Sequence, residues 1–361
     1  MSLQTVPLSN VCEIIMGQAP VGSSYNENGE GLALIAGAGD FGQTTPEPKK
    51  YTTEASKISK IDDLILCIRA TIGDLNWSDK EYCLGRGVAG LRPIAHVLDK
   101  NYLWHFIGAN KNQLSAKGTG STFKQVSRTH IAEWEIRLPP LTEQKRIAAI
   151  LDKADAIRRK RQQAIQLADE FLRSVFLDMF GDPNTNSKNV PALPMTEVFN
   201  IRTGSLNSNA AVDGGKYPFF TCAKEVFAID DYAFDQEALL LAGNNAQADY
   251  DVKHYKGKFN AYQRTYVLTL RNGSWSYPFY KFALEYQLEN LKRVSKGSNT
   301  KYITMEIMRR TMLPVPSESE QREFVRYFEK IKHIQSFSVK HRHECTALFS
   351  SLSQKAFLGQ L

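Results

Sequence analysis

Cysteine is sparse and unpatterned in this chain. The five residues, at 12, 67, 83, 222 and 345, are odd in number and form no Cys-x-x-Cys pair. That argues against a disulfide framework or a zinc ribbon and predicts a reducing, cytoplasmic setting. Long hydrophobic runs are missing too. ALLLA at 238–242 is among the longest, far short of the roughly 20 apolar residues that span a bilayer. The opening MSLQTVPLSN has no basic stretch followed by an apolar run, so no secretory signal is expected there.

Catalytic signatures are equally scarce. GGKY at 214–217 lacks the spacing and the hydroxyl residue of a phosphate-binding loop. Leu138-Pro139-Pro140-Leu141 is not the Asn/Asp-Pro-Pro-aromatic tetrapeptide of amino-methyltransferases, and no glycine-rich cofactor loop follows a strand. Neither a GxSxG elbow nor an HExxH helix is written. His341, His343 and Cys345 are the nearest approach to a metal cluster. On a helix, residues two apart point to nearly opposite sides, so no metal site is expected. The sequence therefore predicts no catalytic residue, no metal and no cofactor bound by this chain.

Charge of either sign is moderate: 45 Lys and Arg against 38 Asp and Glu give a formal +7 and a pI near 9.0. This is compatible with a polyanionic partner without requiring one. Hydrophobic residues make up 42% of 361 positions, enough for more than one core.

What the chain does have is an internal repeat. LPPLTEQKRIAAILDKADAI begins at Leu138, and VPSESEQREFVRYFEKIKHI begins at Val315. A shift of 177 residues places Gly120-Ser121 on Gly297-Ser298, Lys124 on Lys301 and Pro139 on Pro316. Glu143-Gln144 then falls on Glu320-Gln321, and Phe180 on Phe357. At a slightly larger offset Val6-Pro7-Leu8 through Gly17 matches Leu193-Pro194-Met195 through Gly204. A duplication over nearly the whole chain is the organising feature.

Each repeated phrase opens a long helix of about 38 residues, or roughly 57 Å at 1.5 Å per residue. Ile147, Ile150, Ala154, Ile157, Arg161, Ala164, Ala168, Phe171 and Val175 follow a 3-4 spacing. Phe324, Tyr327, Ile331, Ile334, Ser338, His341, Cys345, Leu348 and Leu352 keep it in the second copy. This is the seam of a coiled coil, and the duplicate helix is the expected antiparallel partner, with packing of each helix on its own domain as the alternative. Gly181 and Pro183 supply a stop.

Short strand-like runs alternating with Gly, Asn and Asp turns fill the remainder. The predicted fold is α+β, with two mixed α/β domains joined by two long antiparallel coiled-coil helices in a pseudo-twofold repeat. The expected boundaries are 1–138 and 184–314 for the domains, with 139–183 and 315–361 for the helices.

The groups left over suit binding. Lys117, Lys124 and Arg128 flank GTGST, and Lys296 and Lys301 flank GSNT. Backbone amides of a Gly/Ser loop with lysines beside them suit phosphate oxygens. Asn244, Asn245, Gln247, Tyr262 and Arg264 in the second domain, with Arg69 and Arg86 in the first, can hydrogen-bond to base edges. Arg264 and Arg86 fall at nearly equivalent places. The run Arg158-Arg159-Lys160-Arg161 reads as a solvated helix face that a duplex would also favour.

The phrase LPPLTEQKRIAAILDKADAIRRKRQQ, running on to LDMFGDP, resembles the central conserved region of type I restriction-modification specificity (S) subunits. The loop before it and the second copy at 315 resemble that family as well. The second copy departs from the pattern, with Pro314-Val315-Pro316-Ser317-Glu318 in place of the Pro-Pro-Leu core. The resemblance implies two target-recognition domains, each reading half of a bipartite double-stranded DNA sequence, and no active site in this chain. It further implies two methyltransferase (M) subunits that use S-adenosylmethionine to methylate adenine N6. Restriction (R) subunits, ATP- and Mg-dependent nucleases, would complete the assembly. A specificity subunit of another restriction-modification type, and a coiled-coil scaffold with no DNA role, remain open alternatives. DNA binding at low salt separates the scaffold from the other two.

Overall fold

A computed structural model describes residues 5–119 and 124–361, with side chains for all of these except 336–344. The chain divides into two compact units, Met1–Gln162 with Lys340–Leu361, and Gln163–Val339. The division cuts through both long helices instead of falling at their starts, because each helix end is built into a domain core.

In unit 1 the strands Cys12–Met16, Val88–Pro93, Leu64–Cys67 and Leu75–Trp77 form an antiparallel sheet in that order. A second sheet runs Tyr25–Asn26, Lys50–Thr52, Leu32–Ile35, Cys83–Leu84, its last pair parallel. Thr5–Pro7 pairs with Glu135–Arg137 at the base. Three helices follow, α1 (Lys100–Ala116), α2 (Arg128–Ala132) and the first part of α3 (Leu141–Phe180).

Unit 2 repeats the plan around one six-stranded sheet. Its order is Phe199–Thr203, Thr265–Leu270, Phe234–Ala242, Val252–Ala261, Tyr217–Phe220, Phe227–Ile229. Ala192–Pro194 pairs with Met312–Pro314, as Thr5–Pro7 does with Glu135–Arg137 in the first unit. Helices α4 (Met195–Val198), α5 (Tyr277–Val294), α6 (Met305–Arg310) and α7 (Glu318–Leu358) complete the chain.

The shared glycine has a steric reason. A Cβ at Gly17 would lie 2.1 Å from the Gly85 carbonyl oxygen, and one at Gly204 would lie 1.7 Å from that of Ala261. At both places another backbone approaches too closely for any side chain. Gly181, at φ 73°, ends α3 in the left-handed region.

The long helices run antiparallel within each unit. In unit 1 Ile147, Ala148 and Leu151 share a core with Ala356 and with the partly buried Leu352 and Phe349. In unit 2 Leu172, Phe176 and Phe180 share one with Phe324 and Phe328, and Gln335 Nε2 donates to Asp169 Oδ1 at 2.7 Å. Domain helices join both cores. Phe357 of α7 lies 5.3 Å from Tyr102 and 5.6 Å from Phe106 of α1, between ring centroids.

The buried seam departs from the predicted heptad positions. Ile147 and Phe324 are buried, and Ile150, Ala154, Val175, Ile331 and Leu352 are partly so. Ile157, Phe171, Tyr327, Ile334 and Leu348 are 40% to 57% exposed and do not pack between the helices. The buried stripe instead passes through Gln144, Ala148, Leu151 and Asp155, then Leu172, Phe176 and Phe180. On α7 it holds Gln321, Phe324, Phe328 and Gln335. Several of these are polar, and hydrogen bonds compensate their burial. Asp155 illustrates this: burial pushes its pKa up, but hydrogen bonds and charges from Arg158 and Arg159 outweigh that and hold it below the usual range.

Gln144 and Gln321 explain why Glu-Gln is repeated. Gln144 accepts from the Asp99 amide at 2.8 Å and donates to the carbonyls of Val97 and Pro139 at 3.0 and 2.9 Å. Gln321 accepts from the Ser276 amide at 3.0 Å and donates to the Pro316 carbonyl at 3.1 Å. Asp99 and Ser276 are the N-cap residues of α1 and α5. Each glutamine thus ties a long helix to the start of its domain helix. Gln144→Leu should leave three backbone groups without partners and cost about 2–3 kcal/mol. Denaturation followed by fluorescence from Trp77, Trp104 and Trp134 should show an earlier transition, and an unmoved midpoint would remove this role.

Candidate nucleic-acid interface

The two units carry the same backbone clip at the same place. In unit 1 the Ile68 amide donates to Gly87 O at 2.9 Å, and the Val126 amide to Ile68 O at 3.0 Å. Thr119 and Gln125 exchange both backbone bonds, at 3.0 and 2.9 Å. In unit 2 the Gly243 amide donates to Arg264 O at 2.9 Å, and the Ile303 amide to Gly243 O at 2.9 Å. Lys296 and Tyr302 exchange bonds at 3.1 and 2.9 Å. Thr119, Gln125 and Val126 lie 177 positions before Lys296, Tyr302 and Ile303, the offset of the sequence repeat.

The clip gathers most of the predicted residues of unit 2. Asn244–Asn245 pairs antiparallel with Lys301–Tyr302. The Asn245 side chain accepts from the amides of Gln247 and Asp249 at 2.8 and 3.2 Å, shaping an exposed turn. Tyr262 closes the neighbouring turn by accepting from the Thr265 amide at 2.8 Å. Arg264 projects from that turn with an exposed side chain.

Lys296 Nζ sits 3.1 Å from Glu306 Oε2, and Arg310 takes the other carboxylate oxygen at 2.6 Å. The hydrogen bond from Lys296, its charge and that of Arg310 hold Glu306 below the usual carboxylate range. Lys296 is therefore partly neutralised. Among the described residues Lys301, Lys124, Lys117, Arg86 and Arg264 make no ion pair.

In unit 1 the predicted residues do not gather at one place. Arg69 and Arg86 line one cleft of about 460 Å³ with Tyr25, Thr71 and the glycine-rich turns at 37–39 and 85–87. Lys124 stands exposed on the clip beside Gln125. Lys117, at the end of α1, borders a different groove of about 1370 Å³ with Arg137, Arg158 and Arg159. Arg128 opens α2, whose N-cap Ser127 is matched by Thr304 before α6. Arg264 corresponds to Gly87 in the clip, which places Arg86 one residue out of register with it. The Gly/Ser loop at 120–122 lies outside the described residues, as do the side chains of His341 and His343.

Sequence reasoning missed Gln125. Its side-chain oxygen takes Nε and Nη2 of Arg69 at 2.8 and 2.5 Å across 56 positions of chain. The repeat offset, which sets Gln125 against Tyr302, was the available signal.

A family model described as the type I restriction modification DNA specificity domain matches twice, at residues 2–167 and 192–353. The chain belongs to this family. Among its curated relatives is a putative type I restriction enzyme MjaX specificity subunit of Methanocaldococcus jannaschii, 34% identical over 168 residues. That match covers 46% of this chain and 40% of the relative. The type I restriction enzyme EcoDI specificity subunit of Escherichia coli is 40% identical over 127 residues, 35% of this chain and 27% of that one. The matched stretches thus span well under half the length of these relatives.

The solved S subunit of a type I restriction-modification system from M. genitalium superposes with a TM-score of 0.66 at 15% identity, covering 99% of this chain and 96% of that one. A second structure, from work on complex assembly and conformational transition of the type I R-M system, gives 0.57 at 16% identity over the whole of both chains. Both show that the specificity-subunit fold extends over the full chain, as the repeat predicted. No helix among the described residues is long and apolar enough to cross a membrane.

Proposed function

We propose that this specificity-family chain is the non-catalytic, sequence-reading subunit of a cytoplasmic type I restriction-modification complex. Each unit reads one half of a bipartite double-stranded DNA target. The observation that carries this reading is the clip: identical backbone bonds hold different side chains in the two units. Two unrelated half-sites read from one duplicated scaffold require that combination. A plain scaffold protein would have no use for it.

Lys124 and Lys301, equivalent, exposed or half-buried and free of ion pairs among the described residues, are the phosphate-binding lysines this reading favours. Replacing each by Ala should lower affinity for all sequences alike. The slope of log K against log salt should drop by about 0.9 for each phosphate no longer neutralised. Lys296→Ala should change it less, because Glu306 already holds that charge. An unchanged slope in the Lys124/Lys301 double variant would return both lysines to ordinary surface roles.

Chemistry then belongs to partners. Two methyltransferase subunits would bring S-adenosylmethionine for adenine N6 methylation, and restriction subunits would bring ATP and Mg for cleavage. In unit 2, Leu167 and Phe171 stand one turn apart on α3, and Tyr327 and Ile334 stand two turns apart on α7, all exposed. Large apolar side chains at helical spacing on a long helix suit docking by partner helices. The residues left outside the intramolecular seam thereby acquire a role.

A further inference from the structure

Arg69 and Gln125 form a pair whose hydrogen-bonding character is fixed by elimination. Arginine has donors and no acceptor, so the amide facing it must present oxygen. Gln125 Oε1 accepts from Nε and Nη2 of Arg69 at 2.8 and 2.5 Å, which occupies both lone pairs. The amide nitrogen of Gln125 is turned away as a donor, and the rest of the guanidinium is also donor only. The pair thus offers hydrogens and no acceptor.

Its position suits reading. Arg69 and Gln125 are bridged through the backbone clip, so neither side chain depends on a free loop. Both are half-buried, which limits their rotamers while leaving part of each accessible. Arg69 lines the cleft that Arg86 also lines, and a second cation there raises the local positive potential. The equivalent clip positions in unit 2 carry Asn244 and Tyr302, a different set of donors and acceptors.

In the major groove only guanine presents two acceptors, N7 and O6, side by side. Adenine and cytosine each present an amino donor, which a donor-only surface repels. Resting on the DNA-reading function proposed above, we infer that Arg69 and Gln125 together recognise a guanine in the half-site read by unit 1. Gln125 positions the guanidinium and adds its own N–H to the reading surface.

The test is selection from a duplex library, randomised at all positions, by the full chain assembled with methyltransferase subunits. The unaltered complex should enrich a guanine at a position in one half-site that responds to this pair. Gln125→Glu keeps an oxygen for Arg69 to clamp but turns an acceptor outward. The guanine preference should fall roughly ten- to a hundred-fold, with cytosine or adenine gaining at the same position. The second half-site should be unchanged, which also reports an intact fold. Should that variant enrich neither half, Arg69→Met, which adds no new charge, makes the same comparison and should lose the guanine with no replacement. Retention of the same guanine in a folded variant, or a change only where the unaltered complex selects no guanine, would overturn the inference. No enriched sequence for the unaltered complex would overturn the DNA-reading function itself, and this inference with it.

Discussion

Phe176→Ala is expected to destabilise unit 2 by about 3–5 kcal/mol, the range for emptying a fully buried aromatic site. Phe176 has no solvent exposure. Its ring centroid lies 5.2 Å from Phe180 and from Phe282, 5.5 Å from Phe324, 5.6 Å from Tyr286 and 6.0 Å from Phe279. These rings come from α3, α5 and α7, so one side chain holds both long helices to the domain helix. Deep burial on three sides leaves little room for collapse, which places the cost toward the upper part of the range. Trp275, the one tryptophan of unit 2, is the probe. Its unfolding transition should move to much lower denaturant while the transition of unit 1 stays nearly in place. Equal shifts in both would mean that the units do not unfold separately, and no shift would remove Phe176 from the core.

The second large effect concerns assembly. Leu167→Asp with Phe171→Asp places two carboxylates on the exposed apolar face of α3. Because Leu167 and Phe171 are about half exposed, folding should change little, as surface substitutions usually cost within about 0.5 kcal/mol. A partner helix seated there would have to bury both charges unpaired, at several kcal/mol. Association with methyltransferase subunits should weaken by roughly a hundred-fold or more. The check is the mass of the complex by light scattering, with a melting curve of the chain alone as the folding control. Undiminished association would show that partners dock elsewhere.

How much of this was readable from the sequence depends on what kind of residue carried the signal. The 177-residue repeat located both long helices and the equivalence of Lys124 with Lys301, and Gly181 with Pro183 marked the stop of the first helix. The matches of Pro7 with Pro194 and of Gly17 with Gly204 were visible, but that they sit in the small base strands and at close backbone approaches shows only in the fold. Hydrophobic spacing misled at the seam. It counted Ile157, Phe171 and Ile334 as buried because apolar periodicity cannot distinguish an intramolecular face from one left open. The stripe that is buried includes Asp155, held by Arg158 and Arg159 one turn on, and Gln144, Gln321 and Gln335, whose burial depends on hydrogen-bond partners far along the chain. Gln125 was hidden for the same reason: its meaning lies in Arg69, and only the folded clip brings the two together.

The central claim is tested most directly by mapping methylated adenines in a host genome that carries this chain together with type I methyltransferase subunits. One bipartite motif is expected, with two specified ends and an unspecified spacer, that vanishes when the chain is removed. Arg264→Ala should relax the bases of one end and leave the other end unchanged. A contiguous motif, or methylation that persists without this chain, would contradict the account.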